Sequence, residues 1–202
     1  DIKVLVLDTQ VYSNTGGQSS TSTFVGQDSK MSAYGKVRHG KRERRKELAQ
    51  IAMMHPGVYV AQTTAAHLNH FYRAVMAANS YPGPAVVIAY APCQPEHGIG
   101  DDASFDQSKL AVESRAFPLL TYDPRAGEAI KERLSLQGNP ARKDDWHVTP
   151  KGETIDFITF ARTEGRFARQ FDAHGDPSPE LLKARDDRLQ NWRLLQELAG
   201  LR

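Results

Sequence analysis

One cysteine, Cys93, in 202 residues excludes an internal disulfide and any multi-cysteine metal site made by this chain alone. If Cys93 binds a metal, its co-ligands lie elsewhere. No stretch reaches the roughly 18 consecutive apolar residues of a spanning helix, and the start has no charged region followed by an apolar run of the secretory kind. The expectation is a cytoplasmic protein with no membrane partner. Excess charge of one sign is also missing: 26 Lys and Arg stand against 24 Asp and Glu, so no global field draws the chain onto nucleic acid and any basic function must be local. There is no internal repeat and no low-complexity tract. What is present, 40% hydrophobic and 25% charged residues, is the composition of an ordinary globular protein, long enough for one domain with an extension. Asp1 runs at once into a buried-strand pattern, so the chain reads as cut from something longer.

Three short apolar runs rich in β-branched residues, 4–7, 58–61 and 85–91, alternate with segments of helical periodicity. Strands buried on both faces of a parallel sheet read as continuous apolar runs, so this is a βαβ pattern. Helices are predicted over 44–55, with Leu48, Ile51 and Ala52 on one face, and over 66–79, with Leu68, Phe71, Tyr72 and Val75 on one face. Pro56-Gly57 and residues 81–84 stop them where the next strand begins. A helix over 104–115, a short strand over 119–122 and a surface connection over 136–151 follow. The last helix, 178–198, has a serine cap ahead of a proline and carries Leu181, Leu182, Leu189, Trp192, Leu195 and Leu198, an apolar face that packs back or meets a partner. Phe157, Phe160, Phe167 and Phe171 read as core or interface.

The chemistry concentrates directly after the first strand, where open α/β sheets bind their ligands. Thr9 can offer a hydroxyl oxygen, Val11 a backbone carbonyl and Asn14 an amide oxygen, and Gly16-Gly17 allows close approach of backbone to a phosphate. A few neutral oxygens suit Mg²⁺ bridging phosphates if a carboxylate comes from elsewhere. On composition alone, a polar turn with capping residues explains the segment equally well.

Residues 4–18, VLVLDTQVYSNTGGQ, closely resemble the second half of the thiamine-diphosphate motif of pyruvate:ferredoxin (flavodoxin) oxidoreductases, in which a glutamate is usual at the position of Gln10. Likeness continues in order through the basic segment 40–48, the strand 58–61 and residues 81–93, which end at Cys93. It covers about the first 120 residues, and ordered matches of that length are hard to obtain by chance. The resemblance implies a three-layer α/β/α unit with a mainly parallel sheet, the thiamine-diphosphate-binding fold without its N-terminal portion, over 1–135, then a connection and C-terminal helical extension over 136–202. It further implies that Thr9 and the Val11 carbonyl ligate Mg²⁺, that Asn14 lies at the reacting end of cofactor and substrate, that Gly16 and Gly17 border the cofactor, and that Cys93 is the fourth ligand of a [4Fe–4S] cluster. The aspartate of an upstream Gly-Asp-Gly element and three further cysteines are not in this sequence. Gln10 departs from the family pattern and takes no role from it.

The implied activity of the parent enzyme is oxidative decarboxylation of a 2-oxo acid, with coenzyme A as acyl acceptor, ferredoxin or flavodoxin as electron acceptor, and a homodimeric assembly. The chain alone is expected to be inactive; a non-catalytic α/β module and a subunit-interface piece are the other two readings. For Cys93 the competing reading is a small buried hydrophobe; its place at a strand end favours the ligand. The run Lys36, Arg38, Lys41, Arg42, Arg44, Arg45 and Lys46 lacks interleaved aromatics and is broken by Glu43 and Glu47, so it reads as a solvated helix face, not a nucleic-acid surface. His67 and His70 lack a completing carboxylate motif and are assigned no metal; Glu96 and His97 carry no assignment.

Overall fold

The structure is a computed structural model that describes residues 2–31 and 40–202; Lys36 and Arg38 lie outside the described residues. β1 (Lys3–Asp8), β2 (Tyr59–Thr64) and β3 (Ala85–Tyr90) form a parallel sheet, with β3 between β1 and β2. β4 (Leu120–Tyr122) adds antiparallel to β2, and β5 (Leu134–Ser135) antiparallel to β4, giving the order β1-β3-β2-β4-β5. Successive residues of a strand face opposite sides, and in β2 and β3 both sides are covered, unlike β1, whose apolar run predicts burial. Val60, Ile88 and Tyr90 point into the larger core, while Tyr59, Ala61, Ala85 and Val87 point into a smaller one under a single helix. This is the mainly parallel α/β/α arrangement that the apolar runs predict. β1 has one strand neighbour among the described residues, and its Val4, Leu5 and Leu7 are exposed.

The helices depart from the predicted faces. α1 spans only Leu48–Met53, because Glu47 is extended and Arg45 and Glu47 are used in buried ion pairs instead of a helical turn. Its inward residues are Ala49, Ala52 and Met53, whereas Leu48 and Ile51 are exposed. α2 (Leu68–Ser80) likewise turns Ala74 and Ala78 to the sheet and leaves Leu68 and Tyr72 exposed. Small residues let these helices approach the sheet closely, so the wider apolar stripe seen in the sequence is not the buried one. The basic run is not a solvated helix face either: Lys41 and Arg45 are buried. α3 is a single turn, Gln94–His97, and α4 (Ser104–Glu113) stops short of the predicted 115. Arg115, predicted helical, adopts φ 61° and is fully buried.

After a short α5 (Ile130–Arg133), the segment read as a surface connection is partly tied down. Leu136 and Asn139 are buried, and the Asn139 amide bonds both the N–H and the carbonyl of Leu119. A two-residue ladder, β6 (His147–Val148) with β7 (Thr154–Ile155), leads into α6 (Phe157–Arg162). Phe157, Phe160 and Phe167 are fully buried and meet Phe24, from the loop after β1, at ring separations of 5.0–6.3 Å. Such packing is worth more than area alone, and it fixes that loop against the C-terminal segment.

α7 (Pro179–Leu198) starts as the sequence implies, with Ser178 Oγ accepting from the Leu181 N–H. It packs back: Leu181, Trp192 and Leu195 belong to the same core as Val60 and Ile88. Trp192 is fully buried, donates Nε1–H to the Asp144 carbonyl at 2.9 Å, and stacks under the Arg115 guanidinium, 4.1 Å from its ring centroid. Trp192→Ala should therefore cost about 3–5 kcal/mol, read as a lower urea midpoint, and a loss below about 1 kcal/mol would show that α7 is not part of the core.

Candidate functional site

β1 ends at Asp8, and the chain must leave the sheet within one residue. Asp8 makes that exit rigid. Its Oδ1 accepts the Gln10 N–H at 3.0 Å, its Oδ2 lies 3.1 Å from Arg45 Nη2, and Gln10 takes the left-handed conformation, φ 58°. The Gln10 carbonyl accepts from Thr23 Oγ1 (2.7 Å) and Gln27 Nε2 (3.2 Å). Lys41 donates to the carbonyls of Ser20 and Thr23, so this buried lysine braces the loop's return path; burial is the main reason its pKa is lowered.

Thr9 and Val11 flank Gln10 and point their oxygens at each other: Thr9 Oγ1 donates to the Val11 carbonyl at 2.7 Å. Two ligands on adjacent corners of an Mg²⁺ octahedron, each about 2.0–2.1 Å from the ion, stand about 2.9 Å apart. The pair thus fits one edge of such a shell, with the hydroxyl proton turned away from the carbonyl. Thr9 and Val11 both line a cleft of about 340 Å³ at the carboxyl end of β1, together with Asp8, Tyr12, Ser20 and Lys46. A larger cavity of about 610 Å³ lies between Lys30, Glu96, Arg166 and Arg169. Its charges are already paired, Lys30 with Glu96, Arg166 with Glu164 and Arg169 with Asp28, so it offers a charged ligand little net attraction.

Beyond Val11 the loop closes on itself. Tyr12 and Gln18 form an antiparallel bridge, the Gly17 N–H donates to the Tyr12 carbonyl, and Thr15 and Gln18 bond to each other. Asn14 is exposed on this turn. Gly16 and Gly17 have φ of 106° and 78°, and a Cβ on either would collide, with Met31 Sδ and with the Glu96 carboxylate respectively. The positive φ is what favours glycine at both positions, since the Met31 and Glu96 side-chain ends could swing aside.

Two buried clusters escaped the sequence reading. In the first, Arg45 lies between Asp8 and Glu47 and over the rings of Phe24 and Phe117, while Arg188 of α7 reaches Glu47 at 2.6 Å. Burial alone would raise the Glu47 carboxyl, but the Arg188 and Arg45 charges outweigh it and hold it low. In the second, Glu164 accepts from Tyr90 Oη (3.1 Å), Gln107 Nε2 (2.9 Å) and Arg166 Nε (2.5 Å). Arg166 also donates to Gln27 Oε1 (3.1 Å) and Gln10 Oε1 (2.7 Å). Burial favours the neutral Glu164 acid, yet Arg166 overrides it and keeps the carboxylate ionised. His97, fully buried, has its pKa pushed down by burial and then by Arg166. Its Nε2 is 2.8 Å from the Thr9 carbonyl; a carbonyl only accepts, so Nε2 carries the hydrogen, and the 3.2 Å approach of Arg166 Nη1 to that nitrogen is packing. The only sequence signal for these residues is the charge of Glu164 and Arg166 beside buried phenylalanines.

Cys93 is a free, partly buried thiol at the start of α3, two residues beyond Ala91, whose N–H bonds the Asp8 carbonyl. Among the described residues no group of three or more His, Cys, Asp or Glu could hold a metal. No helix among them is long and apolar enough to cross a membrane. The imidazole of His70 bonds Thr63 Oγ1 through Nδ1 at 2.9 Å.

Fold and loop together define an open α/β domain with oxygen donors gathered at a strand's carboxyl end, the class in which phosphate-bearing cofactors bind across the strand tips. No protein-family model matches the chain. It is 38% identical, over its whole length, to the pyruvate-flavodoxin oxidoreductase of Rhodospirillum rubrum, of which it spans 15%. It is 39% identical over 78% of its length to the pyruvate:ferredoxin oxidoreductase of Moorella thermoacetica, spanning 12% of that protein, and 33% identical over 99% of its length to the pyruvate-flavodoxin oxidoreductase of Trichormus variabilis, spanning 16%. The chain belongs, as one segment, with the pyruvate-flavodoxin and pyruvate:ferredoxin oxidoreductases.

Arg45→Leu should destabilise the fold by about 3–5 kcal/mol, because it leaves Asp8 a buried charge without its cation and removes one of the two cations that hold Glu47; a denaturant midpoint equal to that of the parent chain would refute the network. A second consequence concerns acid. Burial, then the His67 and Arg73 charges, lower the His70 pKa to about 4, below its unfolded value of about 6.5. The unfolded chain therefore binds the extra proton first, and the contribution of His70 is intact above about pH 6.5 and lost as pH falls to about 4. His70→Gln should flatten the pH dependence of the urea midpoint in that window and leave its dependence above pH 7 unchanged.

Proposed function

We propose that this chain contributes half of a thiamine-diphosphate and Mg²⁺ site to an oxidoreductase that decarboxylates a 2-oxo acid, pyruvate by the names of its relatives, in the cytoplasm. The observation that carries the reading is the convergence of Thr9 Oγ1 and the Val11 carbonyl, 2.7 Å apart, in the cleft at the carboxyl end of β1. Those two oxygens would hold the metal, with an aspartate from another segment and the diphosphate completing the shell. Lys46, lining the same cleft, brings a positive charge toward an anion there. Thiamine diphosphate, when bound, supplies the electron sink that lets the carbon–carbon bond to CO₂ break.

The protein's own part is placement. Asn14, carried on the closed 12–18 turn with Gly16 and Gly17, would orient the reacting centre through an amide that holds an oxygen without titrating. Tyr12, largely exposed, also lines the cleft. Cys93 would give one thiolate to a [4Fe–4S] cluster; the other three come from outside this chain, since such a cluster takes four. Coenzyme A as acyl acceptor, ferredoxin or flavodoxin as electron acceptor, and a homodimeric parent complete the reading.

Isothermal titration of thiamine diphosphate with Mg²⁺ into the assembled protein that contains this chain tests it. Thr9→Ala should weaken binding about tenfold, the equivalent of about 1.4 kcal/mol, and Asn14→Ala should lower kcat with binding retained. A folded, assembled protein that takes up no thiamine diphosphate would overturn the proposal.

A further inference from the structure

The buried Arg166 cluster is a larger investment than a turn at the protein surface requires. Arg166 is almost wholly buried, sits in the 3₁₀ turn Gly165–Gln170 far along the chain, and spends one of its donors on Gln10, the residue between the two oxygens of the cleft. Gln10 is itself buried and held at φ 58°, a conformation that costs a non-glycine residue energy and persists only when its surroundings enforce it. Its surroundings are Asp8 on the backbone N–H, Thr23 and Gln27 on the carbonyl, and Arg166 on the side chain. Arg166 reaches the same carbonyl indirectly, because it also donates to the Gln27 amide oxygen. In the peptide on the other side of Gln10, His97 donates to the Thr9 carbonyl and packs against Arg166.

We propose that Arg166 is a positioning residue for the metal-binding pair Thr9 and Val11: through Gln10 directly, and through Gln27 and His97, it holds the peptides on both sides of Gln10 in the one conformation that brings the Thr9 hydroxyl and the Val11 carbonyl together. The claim rests on the thiamine-diphosphate reading above. It assigns to the C-terminal part of the chain a role in the site that no residue of the 4–18 segment can perform alone. Guanidinium suits the task because its donors are fixed in one plane and can hold several acceptors at set angles, which an ammonium cannot.

The measurement is the affinity of the assembled protein for thiamine diphosphate with Mg²⁺, by titration calorimetry, and for Mn²⁺ in place of Mg²⁺, by electron paramagnetic resonance, alongside the thermal midpoint of the cofactor-free protein. Gln10→Leu, Arg166→Leu, their double variant and Arg166→Lys are compared with the parent. Gln10→Leu should weaken cofactor and Mn²⁺ binding about tenfold and also lower the midpoint of the cofactor-free protein, because it strands one buried donor of Arg166. The double variant should bind no more weakly than Arg166→Leu, the non-additivity expected of residues that act through one contact, and Arg166→Lys should recover only part of the affinity. Should Arg166→Leu fail to fold, Gln10→Leu and Arg166→Lys decide by the same readouts. Parent-level affinity in Gln10→Leu and Arg166→Lys, whatever their midpoints, would overturn the positioning role and leave the cofactor reading standing; no binding by the parent protein would overturn both.

Discussion

The arrangement depends first on one buried cation. Arg45 is enclosed by the rings of Phe24 and Phe117 and ion-paired to Asp8 at the end of β1 and to Glu47 at the head of α1, while Glu47 is also held by Arg188 from α7. A charge taken out of water is tolerated only when partners replace its hydration, so the four side chains are obliged to meet. Their meeting joins the first strand, the segment before the first helix and the last helix at one point. The loop that leaves β1 inherits its direction from this junction, because the carboxylate that pairs with Arg45 also accepts the Gln10 N–H.

Much of the architecture was legible because it rests on local chemistry. β-branched apolar runs predicted β1, β2 and β3, a serine followed by proline predicted the start of α7, and the phenylalanines at near-helical spacing are in the core. Likewise the segment 4–18 advertised its oxygens and glycines. What the sequence concealed came from long-range pairing. Arg45 and Lys41 look like members of a solvated basic run, and nothing local distinguishes them from the exposed Arg42 and Lys46. The α1 and α2 faces were misread for a related reason: the periodicity of large apolar residues points one way, but alanines give the closer approach to the sheet, and the larger side chains are left outward.

The glycine pair shows how one residue can satisfy several constraints. Gly16 and Gly17 are read from sequence as an opening for a ligand, and the structure gives them left-handed backbone with Met31 and Glu96 where a Cβ would stand. A loop packed this closely on its own neighbours is preorganised, and preorganisation reduces the ordering cost a ligand would otherwise meet.

The departure at Gln10 has an electrostatic account. Where the resemblance over residues 4–18 implies a glutamate, this chain has a neutral amide, and its oxygen faces Arg166. Around that guanidinium the ionised carboxylate is Glu164; burial and then Arg166 push the His97 pKa down against the pull of Glu164, 3.5 Å from its Nδ1, and Tyr90, pushed well above its usual pKa by burial and then by Glu164, keeps its proton. One cation and one anion therefore balance. A carboxylate at position 10 would add a second buried negative charge to a cluster with a single positive one, and an uncompensated buried charge costs several kcal/mol. The Asp8, Arg45, Glu47 and Arg188 cluster obeys the same rule with two charges of each sign. Both clusters flank one turn of chain, and their neutrality is what allows so much polarity to be buried beneath the cleft.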